Sequence, residues 1–151
     1  IKAGNLNMKI VCLNWCADEL FVKTAGADNA EGHVMIQPFA PASAGKEGSK
    51  AIDEYLKSKG SSLDAKGLHY AQGWYTMDVM AKGIEKALAG GGKLTGEAIK
   101  TALESMDAID TGGVVGVPIT IRGNSIPVGR IYRFDSKQQK MLPASDWIHL
   151  D

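Results

Sequence analysis

Two short stretches carry residue types able to hold a small molecule: "LNWCADE" at 13–19 and "LHYAQGWY" at 68–75. In the first, Asn14 offers amide donors and an acceptor, and Trp15 offers a flat apolar face. Asp18 adds a carboxylate. The stretch ends a strand and opens a helix, the crevice position where open α/β sheets bind ligands. In the second, His69, Tyr70, Gln72 and Trp74 gather at a helix start, where free backbone N–H groups favour a carboxylate. This is chemistry of recognition, by hydrogen bonding and stacking, rather than of bond making.

Aromatic residues at helical spacing also build cores. Trp74 falls on an apolar stripe and is expected inside. For Trp15 and Tyr70, core packing and ligand contact both remain open. Catalysis has no visible foothold: there is no G-x-S-x-G elbow, and no Ser or Cys in a known nucleophile context. His33, His69 and His149 are scattered without ligand spacing, so no metal site and no cofactor are expected. "AGGGKLT" at 89–95 looks like a phosphate loop, but Lys93 is followed by Leu94, Ala87 stands where the first glycine belongs, and a helix precedes it. It reads as an interhelical turn. Cys12 and Cys16 lack further metal ligands, and an extended chain holds them too far apart for a disulfide unless it turns between them. They are expected as small buried hydrophobes.

The elements that must position these residues follow from pattern. Residues 8–13 read as a buried strand and 17–26 as a short helix whose inward face is Leu20, Phe21, Thr24 and Ala25. Residues 33–37, "HVMIQ", form a second strand that Pro38 ends. "APASAGKEGS" is a loop, "KAIDEYLKSKG" a helix and "SSLDAKG" another loop. From Leu68 to about Leu88, the residues Tyr70, Trp74, Met77, Ala81, Ile84 and Leu88 mark one helix face. Thr95 caps the next helix, with Ala98, Ile99, Ala102, Leu103 and Met106 inward. After Asp107 the pattern turns β-rich: strands are expected in 112–121, 129–136 and 140–148, with turns at 122–125 and 135–140.

Composition narrows the function classes. The 151 residues are 44% hydrophobic and 23% charged, ordinary for a globular chain with a core. Seventeen basic residues balance seventeen acidic ones, so no electrostatic footprint exists for nucleic acid or an anionic membrane. No apolar run approaches the roughly 18 residues of a membrane helix. The opening "IKAGNLN" reads as the tail of a helix stopped at Gly4 or Asn5, which suggests a C-terminal piece of a longer chain.

Taken in order, "AGADNAEGHVMIQPFAP", "AIDEYLKSKG", "HYAQGWYTMDVMAKGIEKA", "ALESMDAIDTGGVVGVPITI" and "GRIYRFDSKQQKMLPASDW" resemble the periplasmic substrate-binding proteins of ABC transporters. The similar subgroup is the branched-chain amino acid, or type I, class, and the match is to its C-terminal two-fifths. The resemblance implies a two-lobed α/β fold with Rossmann-like lobes whose chain crosses a hinge three times. It places 1–32 at the end of the second lobe, 33–37 in a hinge crossing, 38–110 in the helical part of the first lobe, and 111–151 in a return crossing with terminal strands. It implies no enzyme but a solute-binding component of an import system, periplasmic or extracellular, with or without a lipid anchor. Partners would be a small-molecule solute, a membrane permease, and the remainder of the chain or another copy to complete the lobes.

In amino-acid-binding relatives an acidic residue in the turn after the second-lobe strand pairs with the ligand ammonium. Here that turn is Leu13-Asn14-Trp15-Cys16-Ala17, and the acids Asp18 and Glu19 come later. The departure favours an amide, a keto or hydroxy acid, or an aromatic acid stacked on Trp15; an amino acid returns if Asp18 reaches the cleft. The family's first-lobe aromatic corresponds to His69 or Tyr70. The expected ligand contacts are thus Asn14, Trp15, Asp18, His69, Tyr70 and Gln72. Two alternatives share the sequence: a ligand-sensing receptor domain of the same fold feeding a signalling partner, and an α/β enzyme with its catalytic residues elsewhere.

Overall fold

A computed structural model describes residues 4, 6, 8–123 and 125–149. The expected helix tail at 1–7 lies mostly outside the described residues; Gly4 sits in a turn. The elements in chain order are β1 (Val11–Cys12), a 3-10 turn (Asn14–Cys16), α1 (Glu19–Ala25), α2 (Ala27–Ala30) and β2 (Val34–Gln37). A second 3-10 turn (Ala42–Ala44) precedes α3 (Glu47–Ser58), α4 (Leu63–Lys66), α5 (Leu68–Ala89) and α6 (Gly96–Glu104). Strands β3 (Val128–Asp135), β4 (Lys140–Pro143) and β5 (Ile148–His149) close the described chain.

The strands form one mixed sheet in the order β1-β2-β3-β4, with β5 added to the start of β3. Strands β1 and β2 run parallel, pairing Val11 with Val34 and Cys12 with Met35. Strand β3 returns antiparallel to β2, setting Tyr132 opposite Met35 and Arg130 opposite Gln37. Its eight residues are long enough to pair with β5 at one end and β4 at the other.

Two apolar clusters sit on either side of the β2 end. The smaller gathers Ala17, Val22, Ala30, Met35, Tyr132, Phe134 and Met141. The larger is built largely from the helices, among them Ile52, Leu56, Leu63, Leu68, Tyr75 and Val79, with Phe39, Val115 and Ile119 from the connecting segments. Phe39 and Tyr75 meet edge to face at 5.5 Å between ring centres. Burial of Tyr75 pushes its hydroxyl pKa up to about 12. Glu19 ties segments around the smaller cluster. Its buried carboxylate accepts from Ser43 N at 3.2 Å, Ser43 Oγ at 2.5 Å and Met141 N at 3.0 Å.

Several expectations are corrected here. The buried residues of α5 are Leu68, Ala71, Tyr75, Val79 and Gly83, whereas Trp74, Met77 and Leu88 are exposed. The reason is close packing: a Cβ on Gly83 would lie 2.6 Å from Leu103 Cδ2, so α6 approaches α5 along its small residues. Helix α1 likewise buries Glu19 and Val22 and exposes Leu20 and Phe21, because the polar anchors of Glu19 point it inward. The "SSLDAKG" segment holds the four-residue α4, capped by Ser62 Oγ accepting from Ala65 N at 3.2 Å. Residues 112–121 make only isolated bridges, Phe39 with Val115 and Ile109 with Ile119, since Gly112 and Gly113 at positive φ break the extended run.

Candidate functional site

The first turn of α5 and the 3-10 turn after β1 meet face to face. Gln72 Nε2 donates to Asn14 Oδ1 at 3.1 Å. His69 Nε2 lies 3.2 Å from the Trp15 carbonyl oxygen and His69 Nδ1 lies 3.1 Å from Gln72 Oε1. The Trp15 and His69 rings are 5.5 Å apart, tilted by 39°. Four of the six expected contacts, from positions more than fifty residues apart in sequence, therefore form one hydrogen-bonded cluster.

Trp15 is 79% exposed, which decides between its two readings: it is not core. Its indole projects from the turn while its carbonyl is held. Tyr70 is half-buried, packs against the larger apolar cluster and lines a groove with His69, Gly73, Trp74, Met77 and Asp78. That groove, of about 740 Å³, opens along the outer face of α5. Trp74 is not the core residue expected of it. It meets Tyr55 on the surface instead, with ring centres 5.2 Å apart and planes tilted by 57°.

Asp18 is placed otherwise than expected. It is 5% exposed, and its carboxylate accepts from Leu20 N at 3.0 Å and from Leu68 N at 3.1 Å. One side chain thus caps the starts of both α1 and α5, satisfying orphan donors of two helices. The residue acts as a fastener that brings α5 to the turn. Gly67 is required beside it: its φ is +75°, and a Cβ there would lie 2.6 Å from Asp18 Oδ2. Gly67 escaped the sequence reading, although a glycine immediately before a long amphipathic helix is the available signal.

The cysteines are also corrected. Cys12 and Cys16 form a disulfide, with Cα atoms 5.5 Å apart. The chain does turn between them: Cys16 N donates to the Leu13 carbonyl at 3.1 Å and Ala17 N to the Asn14 carbonyl at 3.3 Å. The 3-10 turn shortens the span enough to bring the two sulfurs together.

Chemically the cluster presents amide, imidazole and indole groups, with no paired nucleophile and base. No group of three or more His, Cys, Asp or Glu side chains suited to a metal occurs among the described residues. No described helix is long and apolar enough to cross a membrane.

Comparisons with known proteins bear on the whole chain. A family model described as a periplasmic binding protein matches residues 1–139. A solved structure of a branched chain amino acid ABC transporter from Thermus thermophilus with bound valine is similar, with a TM-score of 0.84 and 19% identity over 99% of this chain. An ABC transporter substrate binding protein from Aeropyrum pernix is similar with a TM-score of 0.77 and 22% identity over 98% of this chain. The chain spans 41% and 40% of those two chains. A comparison with curated protein sequences found no match.

Proposed function

The chain belongs to the periplasmic binding protein family, and from that premise we propose that it forms part of a solute-binding component of an ABC import system. The family fold and its type I neighbours support a binding role rather than an enzymatic one. On this reading the smaller apolar cluster belongs to the second lobe, with 1–32 and the terminal strands, and the larger to the first, with 38–110 and the start of the return crossing, whose Val115 and Ile119 pack there. Residues 33–37 cross between them. Solute is held between the lobes and delivered to a membrane permease from the periplasmic or extracellular side, with or without a lipid anchor.

The observation that carries the proposal is the cluster Asn14–Gln72–His69–Trp15, which joins the turn after β1 to the start of α5. Asn14 and Trp15 form one wall of the cleft; His69, Tyr70 and Gln72 form the other. With Asp18 buried as a double cap, the wall offers a neutral amide where a ligand ammonium would want a carboxylate. Leaving an ammonium unpaired in a closed cleft costs several kcal/mol. The solute is therefore an amide, a keto or hydroxy acid, or an aromatic acid stacked on Trp15, rather than an α-amino acid.

Further faces need cover. Val11, Leu13, Phe21 and Met77 are large apolar side chains left exposed. We assign that cover to the remainder of the protein, or to a second copy. The test is a thermal-shift screen of the complete protein against α-amino acids, their amides, and keto, hydroxy and aromatic acids. Solute raises the melting temperature by mass action without being consumed. Turnover of any compound in the screen would overturn the proposal.

A further inference from the structure

We propose that the Cys12–Cys16 disulfide is a redox-dependent positioning element that holds Asn14 and Trp15 in register with α5. The inference rests on the functional reading above for its consequence, and on the geometry alone for its mechanism.

The two cysteines have different surroundings. Cys12 lies in β1, paired across the ladder with the buried Met35 and packed against the smaller apolar cluster. Cys16 closes the 3-10 turn and leads directly into the fully buried Ala17. Between them lie Leu13, Asn14 and Trp15, of which Leu13 and Trp15 are strongly exposed. The cross-link therefore fastens an exposed turn to an anchored strand.

Within 13–16 few other ties restrain the turn, the nearest firm anchor being Asp18 just beyond it, bonded to Leu68 N. Strand β1 is two residues long and has one neighbour among the described strands. The turn's backbone is held by the Cys16-to-Leu13 and Ala17-to-Asn14 hydrogen bonds, each spanning three residues. Its links to α5 are the single contacts of Asn14 with Gln72 and of the Trp15 carbonyl and ring with His69. An exposed segment bound by so few contacts opens at low cost. Closing a loop this short by a disulfide restricts the open chain by roughly tenfold to thirtyfold. The two wall side chains that the turn supplies, Asn14 and Trp15, thus sit on a segment whose closed form the disulfide favours. The oxidising compartment in which periplasmic binding proteins work keeps such a bond formed.

Opening the bond is a balanced two-electron step. A dithiol reductant cleaves the Cys12–Cys16 sulfur–sulfur bond, giving two thiols; the reagent supplies two electrons and two protons and ends as its own disulfide. The freed turn then samples orientations in which Asn14 no longer meets Gln72.

The experiment compares the complete protein in oxidised form, after dithiothreitol, and as the C12S/C16S double variant. Amide hydrogen exchange is followed at residues 13–17 and 69–72, with β2 and β3 as internal references. Losing the disulfide is expected to speed exchange at 13–17 by about tenfold or more, leaving β2 and β3 unchanged. Unchanged exchange at 13–17 would overturn the proposal. Equal acceleration in β2 and β3 would also overturn it, by making the bond a general stabiliser. The three forms are then titrated with valine, valinamide, 4-methyl-2-oxopentanoate and benzoate. Any of these that binds the oxidised form should bind the other two about tenfold more weakly, and equal affinities would overturn the positioning role. If none binds any form, the solute reading fails for these classes while the exchange data still decide the role of the disulfide.

Discussion

Gln72 Nε2 donates to Asn14 Oδ1 across 3.1 Å, joining residues 58 positions apart through one part-buried amide pair. The bond pairs the two amides end to end, so each keeps its other end for a further partner. His69 joins the pair, with Nδ1 3.1 Å from Gln72 Oε1 and Nε2 3.2 Å from the Trp15 carbonyl oxygen, the tautomer setting which nitrogen donates. The two walls are thus joined by side-chain contacts.

Replacing Asn14 with Asp keeps an acceptor for Gln72 and adds a negative charge. Asn14→Asp should therefore fold with little loss of stability and shift preference toward solutes bearing an ammonium. Titration with valine and 4-methyl-2-oxopentanoate measures it. The ratio of their affinities should move toward valine by tenfold or more, the size of a charge-assisted hydrogen bond of about 1.5–3 kcal/mol.

Glu19 has the opposite character, a buried carboxylate enclosed by donors from Ser43 and Met141. Removing it in Glu19→Ala leaves Met141 N and Ser43 N without their acceptor in a buried setting. The expected loss is about 3 kcal/mol in urea unfolding, with Glu19→Gln losing less because one acceptor oxygen survives. Equal stability of all three proteins would show that these hydrogen bonds are replaced by water.

Gly67 combines a left-handed backbone with contact to Asp18. Gly67→Ala meets both penalties, strain at positive φ and displacement of the carboxylate that caps α1 and α5. About 1–3 kcal/mol should be lost. A circular dichroism melt should show the shift, and adding Asp18→Ala should cost less than the sum of the single changes, since both act through one cap.

Asp53 gives a pH test. The Lys57 ammonium and the Leu63 N–H, at 2.8 Å from Asp53 Oδ1, hold its carboxyl below the usual aspartate range. A depressed folded pKa contributes stability that is present above the unfolded value and lost as pH falls through the folded one. Wild type should therefore lose more stability than Asp53→Asn between about pH 5 and the folded pKa. Parallel melting curves for the two proteins across that window would contradict the coupling.

Much of the fold was legible because strong local signals survive tertiary packing. The apolar run before Pro38 is β2, and Thr95 caps α6 by accepting from Ala98 N at 3.1 Å, as the residue types imply. The length of α5 was legible too, but its buried face was not. Large apolar side chains marked one stripe, while the buried face includes Ala71 and Gly83, and the small size of Gly83 lets Leu103 of α6 come close. The meeting of Asn14, Trp15, His69 and Gln72 was foreshadowed only as residue types near two element ends. Their contact depends on Asp18 capping a helix fifty residues away, and no local pattern encodes that pairing. The disulfide was hidden for a related reason: spacing alone does not reveal that the chain turns between Cys12 and Cys16.

The most direct test of solute recognition is calorimetric titration of the complete protein with valine, valinamide, 4-methyl-2-oxopentanoate and benzoate. Saturable binding of the amide or one of the acids, well above that of valine and without consumption, is the predicted result. Tight binding of valine with none of the others would contradict the role given to Asn14.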